Sequence, residues 1–286
     1  MTKTREFFAA LFLAMLAARW VFAAQAAAPM IKLDAVPVYL PTHQPFEAGE
    51  KEVYRASWNG MFSMATAEIH TTSALVDGRK VYQVRVEAKT SRALDLIWKM
   101  RDTITSTFDA KVLVPSHFNF SQRENSRVID TDAKYDPTTK QWTVNRQQLG
   151  KRTKIYQFDS DNTLDPITAI YLARSVDFKV GDRLYFKLFG GRYRYLLELF
   201  IEKKEPVELA SGKLVEAHRV IPRIQNITKS GYAGRLSDAV IWLSADQRRV
   251  PVKLSSKIVF GSVYLDLVED KTGPQSTAID VPRPAS

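Results

Sequence analysis

The side chains best suited to acid–base or metal chemistry are four histidines, His43, His70, His117 and His218. None stands at ligand spacing from another, and none forms a Glu-x-x-His pair, so they read as exposed strand or loop residues. Carboxylates come closer to a site. Asp130 and Asp132 lie two apart on an alternating run and face one side, where such a pair can bind a cation or divide acid and base roles. Asp159-Ser160-Asp161-Asn162 has oxygen ligands at Ca²⁺-loop spacing. It lacks the glycine at the sixth position and the bidentate glutamate, and reads as a solvated turn. There is no Gly-x-Ser-x-Gly elbow, and Ser256-Lys257 lies inside a strand-like run without a partner motif. Gly190-Gly191-Arg192 lacks the further glycine and the helix of a phosphate loop, so it predicts a hairpin turn. No catalytic residue, metal ligand or cofactor is assigned.

A band of aromatic and basic residues is more suggestive. Trp98 stands beside Lys99 and Arg101. Tyr185, Phe186, Phe189, Arg192, Tyr193, Arg194 and Tyr195 cluster around the Gly190-Gly191 turn. At a hairpin tip, alternating Arg and Tyr place guanidinium groups on one face and rings on the other. Rings of that kind cover an acyl chain, and arginine grips an anionic head bidentately. The candidate ligand-binding residues are therefore Trp98, Phe189, Arg192, Tyr193, Arg194 and Tyr195. A plain strand with aromatics in the core and arginines in water gives the same pattern, and the two readings stay open here.

The elements that would position these residues are overwhelmingly strands. Val53–Trp58 ends at Asn59-Gly60 and pairs with Ala65–Thr72. Lys80–Thr90 alternates cleanly, with Val81, Gln83, Arg85 and Glu87 opposite Tyr82, Val84 and Val86. Further runs cover Arg101–Phe108, Ser116–Gln122, Arg127–Tyr135, Gln141–Gln148, Arg183–Phe189, Arg192–Lys203, Leu214–Ile224, Ala239–Leu243, Val252–Val259 and Val263–Val268. Two stretches break the pattern. Ser91–Met100 predicts a short helix or crossing with Leu94, Ile97 and Trp98 on one face. Asp165–Arg174 is the clearest helix: Asp165 caps it, Pro166 opens it, and Arg174 meets the negative end of its dipole. The fold class is all-β and mainly antiparallel, as a single curved sheet or an open or closed barrel with one or two short helices. The expected organisation is a leader at 1–26, a Pro-containing lead-in at 27–45, one β-rich domain at 46–270 and a disordered tail at 271–286.

The first residues carry an export signal. Lys3 and Arg5 precede an apolar run, Phe7–Leu16, that is too short for a bilayer span. Ala24-Gln25-Ala26 supplies a small-x-small cleavage site, with Ala23 as the alternative and Arg19 an unusual interruption. The chain has no cysteine, which excludes disulfide scaffolds, thiol catalysis, zinc–thiolate sites and a lipid-acylated terminus. A disulfide-free exported protein reads as bacterial and periplasmic, with secretion as the alternative. No later apolar run reaches transmembrane length. The formal charge is +10, of which the leader holds a net +2, leaving +8. These basic residues are scattered along alternating strands and do not line one helix, so nucleic acid is not the expected partner. Lipid phosphates, lipopolysaccharide and peptidoglycan carboxylates are the anions of that compartment.

A series of pieces carries a family resemblance. It starts at Phe46-Glu47-Ala48-Gly49-Glu50 with Tyr54 and Trp58, and continues through Asp102–Phe108, Asp109 and Pro115. Asp165-Pro166 through Arg174 follows, then Val180-Gly181-Asp182. Trp242-Leu243-Ser244, Asp246, Arg249-Val250-Pro251-Val252-Lys253-Leu254 and Gly261 complete it. In this order they resemble the bacterial family of unknown function numbered 3108 among domain-of-unknown-function families, over about 46–268. One departure is the missing glycine after the Asn59-Gly60 turn, where Ser63 or Met64 stands instead, which leaves the local strand geometry open. The resemblance implies a periplasmic β-rich protein and supplies no reaction.

The expected function is a periplasmic, non-enzymatic envelope protein that binds a lipid or other anionic amphiphile in a curved β-sheet. The alternative is a structural or interaction module for an envelope protein or peptidoglycan, and a hydrolase built on Asp130, Asp132 or Asp165 is a third reading.

Overall fold

The computed structural model describes residues 31–160, 162–191, 193–228, 233–234, 239–258 and 261–271. The leader, Arg192, Asp161 and the tail from 272 lie outside them. In chain order the strands are β1 (Lys51–Trp58), β2 (Phe62–Val76), β3 (Arg79–Thr90), β4 (Arg101–Asp109), β5 (Pro115–Glu124), β6 (Arg127–Asp136), β7 (Gln141–Gln148) and β8 (Lys154–Asp159). They continue as β9 (Arg183–Phe189), β10 (Arg194–Glu208), β11 (Leu214–Asn226), β12 (Ala233–Gly234), β13 (Val240–Ser244), β14 (Pro251–Ile258) and β15 (Gly261–Lys271). Two helices interrupt them, α1 (Arg92–Asp95) and α2 (Pro166–Ser175).

All the described strands join one antiparallel sheet in the order β8-β7-β6-β5-β4-β3-β2-β1-β15-β14-β13-β11-β10-β9, with β12 on β11. Local chemistry explains the meander. Asn59-Gly60 and Asp77-Gly78 all take positive φ (+50°, +73°, +49° and +74°), the conformation of the two-residue turn whose twist matches its strands. Alternation sets the faces: β4 buries every second residue, Asp102, Ile104, Ser106 and Phe108. The β1–β2 register slips between Ala56, opposite Ala65, and Ser57, opposite Ser63. Met64 is the extra residue of that bulge.

The sheet does not close by strand pairing, but it curls until its ends meet. Phe189 of β9 packs against Phe118 of β5, Trp142 of β7 and Phe158 of β8, with ring centroids 5.4, 4.7 and 5.7 Å apart. A lone parallel bridge joins Leu164 to Leu188. The concave side is filled by α2, whose side chains are almost all buried. Tyr171 donates or accepts at Thr71 (2.6 Å), and its ring meets Phe46 and Phe108. Each ring of Phe108 size removed from water contributes about 1.5–3 kcal/mol, so this interlock ties the helix firmly to the sheet. The lead-in docks on the same helix, because Thr42 and His43 amides donate to the Ser175 carbonyl at 2.8 and 3.3 Å.

Four expectations need correction. Val81 is buried although its strand neighbours on that face are exposed. β8 went unnoticed because an edge strand with one pairing partner has only a weak burial pattern. The segment 91–100 is one helical turn: Ser91 caps it, then Asp95 turns back to Arg101 and Thr90. With so short a helix, Leu94, Ile97 and Trp98 cannot share a face; Ile97 points to solvent while Trp98 is buried. His218 is also buried, packed edge-on against Phe178 at 5.1 Å, and burial beside Lys204 and Arg249 lowers its pKa.

Candidate functional site

Helix α2 begins at Asp165, which accepts from the Ile167 and Thr168 amides at 2.9 and 3.0 Å. The other oxygen accepts from Thr168 Oγ1 (2.6 Å) and Ser106 Oγ (2.8 Å). Burial still pushes this carboxyl above its ordinary pKa against those four bonds. The cap orients the helix, and the helix delivers Arg174 to the start of β1.

Arg174 lies over the rings of Phe46 and Tyr171 and faces two buried glutamates. It is 3.2 Å from Glu50 and 3.4 Å from Glu52, and its Nε donates to the Arg248 carbonyl at 3.1 Å. Arg248 in turn contacts Glu50 (2.6 Å) and Asp270 (2.5 Å). Asp270 is the cross-strand partner of Glu52. Burial pushes Glu52 up to about 7, with Arg174 pulling the other way and Glu50 and Asp270 adding to the rise. With Glu52 protonated, two guanidinium groups face two carboxylates and the buried charge balances. For Arg174 desolvation opposes the charge, but Glu52 and Glu50 outweigh it and hold its pKa above the usual value.

The outer end of this network forms the wall of a cleft of ≈ 650 Å³. Its apolar floor is Leu209, Val215, Val250, Val252 and Leu267; Lys204, Lys213, Glu216, Asp246, Arg248 and Asp270 surround it. The turn that carries Arg248 is rigid. Asp246 accepts from Ser244 Oγ (2.7 Å) and from the Arg248 and Arg249 amides (3.1 and 3.2 Å). Arg248 is committed to Glu50 and Asp270, so the lysines are the cations that a ligand can reach. Neither lysine is ion-paired among the described residues.

The residues singled out from sequence are placed elsewhere. Phe189, 1% exposed, is the ring on which the two ends of the sheet meet. Trp98, 5% exposed, belongs to the β3–β4 crossing. Arg194 lies over Phe158 at 5.5 Å, joining Phe189 around that ring, and Tyr195 is half-buried, its pKa pushed up to about 12 by burial. Tyr193 is half-buried at the turn, where its carbonyl accepts from Gly190 N at 2.8 Å; Arg192 lies outside the described residues. The carboxylates do not converge. Asp130 pairs with Arg123 at 2.8 Å, Asp132 with His117 at 2.5 Å on the outer face, and Asp165 is enclosed as the helix cap. Among the described residues no cluster could hold a metal ion.

Sequence reasoning gave Arg174 only a place at the helix dipole and Glu50 only a place in the family series, and it gave Glu52, Arg248 and Asp270 no role. A signal existed: the pieces at Phe46–Glu50, Asp165–Arg174 and Asp246–Leu254 are distant in the chain and meet at this network.

Among curated proteins, none matches the chain's sequence. Among solved structures, the chain is similar to a β-barrel-like protein of the domain of unknown function DUF1849 from Brucella abortus. That match has a TM-score of 0.51 and 9% identity, and covers 77% of this chain and 96% of that one. A protein of YmcC-like fold from Bacteroides fragilis aligns with a TM-score of 0.36 and 8% identity, over 80% of this chain and 98% of that one. The first likeness concerns the fold alone. No described helix is long and apolar enough to cross a membrane. The family model described as "Protein of unknown function (DUF3108)" matches residues 53–268, and the chain belongs to that family.

Proposed function

We propose that this protein is an exported, non-enzymatic component of the bacterial periplasm that holds an anionic amphiphile at the end cleft. The observation that carries the reading is one cleft lined both by Val215, Val250, Val252 and Leu267 and by Lys204 and Lys213. A cleft of ≈ 650 Å³ is in the range of small-ligand sites. The lysine ammonium groups would face a phosphate or carboxylate, and the valines would cover part of an acyl chain. The concave face of the sheet is occupied by α2 and its rings, so the ligand is assigned to the end of the barrel and not to its interior.

The second reading, an interaction module for an envelope protein or peptidoglycan, is favoured by one feature. Among the described residues strand β8 hydrogen-bonds to β7 and to no second strand, which suits strand addition.

Native mass spectrometry before and after lipid extraction tests the choice. A co-purifying amphiphile that is lost in Lys204→Glu/Lys213→Glu supports the cleft. A clean mass, with no uptake of added anionic lipid or detergent, removes it and leaves the module.

A further inference from the structure

We infer that the end of the barrel opposite the cleft is a docking edge for an anionic lipid bilayer. β1 runs from Lys51, next to the Glu50 network, to Trp58, about 25 Å away at the usual strand rise. At that far end the chain pushes apolar side chains into water on two neighbouring tips. The β1–β2 turn presents Met61 (75% exposed), Phe62 (60%) and Trp58 (37%), with the two rings 6.0 Å apart. The β3–β4 crossing presents Leu96 (89%) and Ile97 (81%). Ala65 pairs with Thr90, and the Ser91 amide donates to the Met64 carbonyl at 2.8 Å, so the two tips stand side by side.

These tips are braced. Asn59 N donates to the Ser262 carbonyl at 2.7 Å, and Asn59 Oδ1 accepts from Ser262 N at 2.8 Å, tying the β1–β2 turn to β15. Asn125 Oδ1 accepts from Lys99 N at 2.8 Å, and its own amide donates to the Lys99 carbonyl, tying the crossing to the β5–β6 turn. Apolar residues held outward on braced turns form protrusions and not a groove, a shape that inserts into a soft interface.

Charge selects the occupant. Arg92 and Lys99 are exposed on the crossing, and Lys257 is exposed near the same end of β14. The acids at these tips are neutralised: Asp95 pairs with Arg101, and Glu124 with Arg127 at 3.7 Å. Apolar points beside the exposed cations Arg92, Lys99 and Lys257 suit the headgroup region of anionic lipids, where tryptophan also sits well. This assignment is independent of the cleft, which such docking would turn away from the bilayer.

Vesicles of phosphatidylglycerol and phosphatidylcholine, with and without brominated acyl chains, test it with the purified protein. Sedimentation with phosphatidylglycerol vesicles should exceed that with pure phosphatidylcholine and weaken at high salt. Leu96→Glu/Ile97→Glu should lower partitioning by about tenfold or more, since two apolar groups leave the interface and two anions enter a negative surface potential. Brominated lipid should quench tryptophan fluorescence, and Trp58→Phe should remove that quenching while circular dichroism stays unchanged. Equal binding to both lipids, quenching that survives Trp58→Phe, or partitioning unchanged by the double substitution each overturns the proposal. So does a dimer that the double substitution dissolves in the absence of vesicle binding, which would assign the tips to self-association.

Discussion

Arg174 lies 3.2 Å from Glu50 with both side chains 1% exposed, although 124 positions separate them. The pair joins the last turn of α2 to the residue that precedes β1 and, through Arg248, to the β13–β14 turn. It locks the helix into the curve of the sheet.

Arg174→Met should therefore be severe. It leaves Glu50 and Glu52 buried without their inner cation, which costs about 3–5 kcal/mol. Urea denaturation midpoints measure it, and Arg174→Met/Glu50→Gln should cost less than the sum of the single changes. A loss below about 1 kcal/mol for the single variant would show that the pair is not desolvated.

Glu52 predicts a pH dependence. Its pKa in the fold is about 7 against an ordinary 4.5, so between those values the folded chain keeps a proton that the unfolded chain has released. This contribution is fully present below the ordinary value and is lost as pH rises through the folded one. Glu52→Gln removes the titration. From about pH 5 to pH 8 the wild type should lose about 2–3 kcal/mol relative to the variant. Parallel stability curves for the two proteins across that window would contradict it.

Phe189→Ala should open the seam between the two ends of the sheet. Removing a ring packed on Phe118, Trp142 and Phe158 costs about 3–5 kcal/mol. Hydrogen exchange should quicken first in β8, which has one strand neighbour. Exchange that accelerates evenly over the whole sheet would place the seam elsewhere.

Asp165→Ala removes the cap and leaves Ser106 and Thr168 hydroxyls without their acceptor. The expected loss is about 2–4 kcal/mol in thermal or urea unfolding. Asp165→Asn keeps an acceptor oxygen and should lie between the variant and the wild type. Equal stability of all three proteins would remove the cap from the account.

Much of the fold was legible because its rules are local. The pleat has a period of two, so Tyr82, Val84 and Val86 announced the inner face of β3. The turns at Asn59-Gly60 and Asp77-Gly78 need positive φ, and the helix start needs a side-chain acceptor, which Asp165 supplies. The short helix α1 is legible, but the faces of Leu94, Ile97 and Trp98 are not, because a single turn has no periodicity to detect. The edge strand β8 is not legible in the sequence because every one of its residues is at least partly exposed, which leaves no inner face to mark.

By itself, then, the sequence determined a mainly antiparallel sheet, its hairpins, one capped helix and membership of a family. The tertiary structure alone decided that the sheet curls until Phe189 of β9 reaches Phe118, Trp142 and Phe158. It also decided that α2 fills the interior, and that Glu50, Arg174, Arg248 and Asp270 meet beside a cleft. The reason is physical. Alternation and capping act between residues a few positions apart, whereas curl and charge pairing depend on how fifteen strands twist against one another. No spacing along the chain encodes a contact between Glu50 and Arg248 across 198 positions.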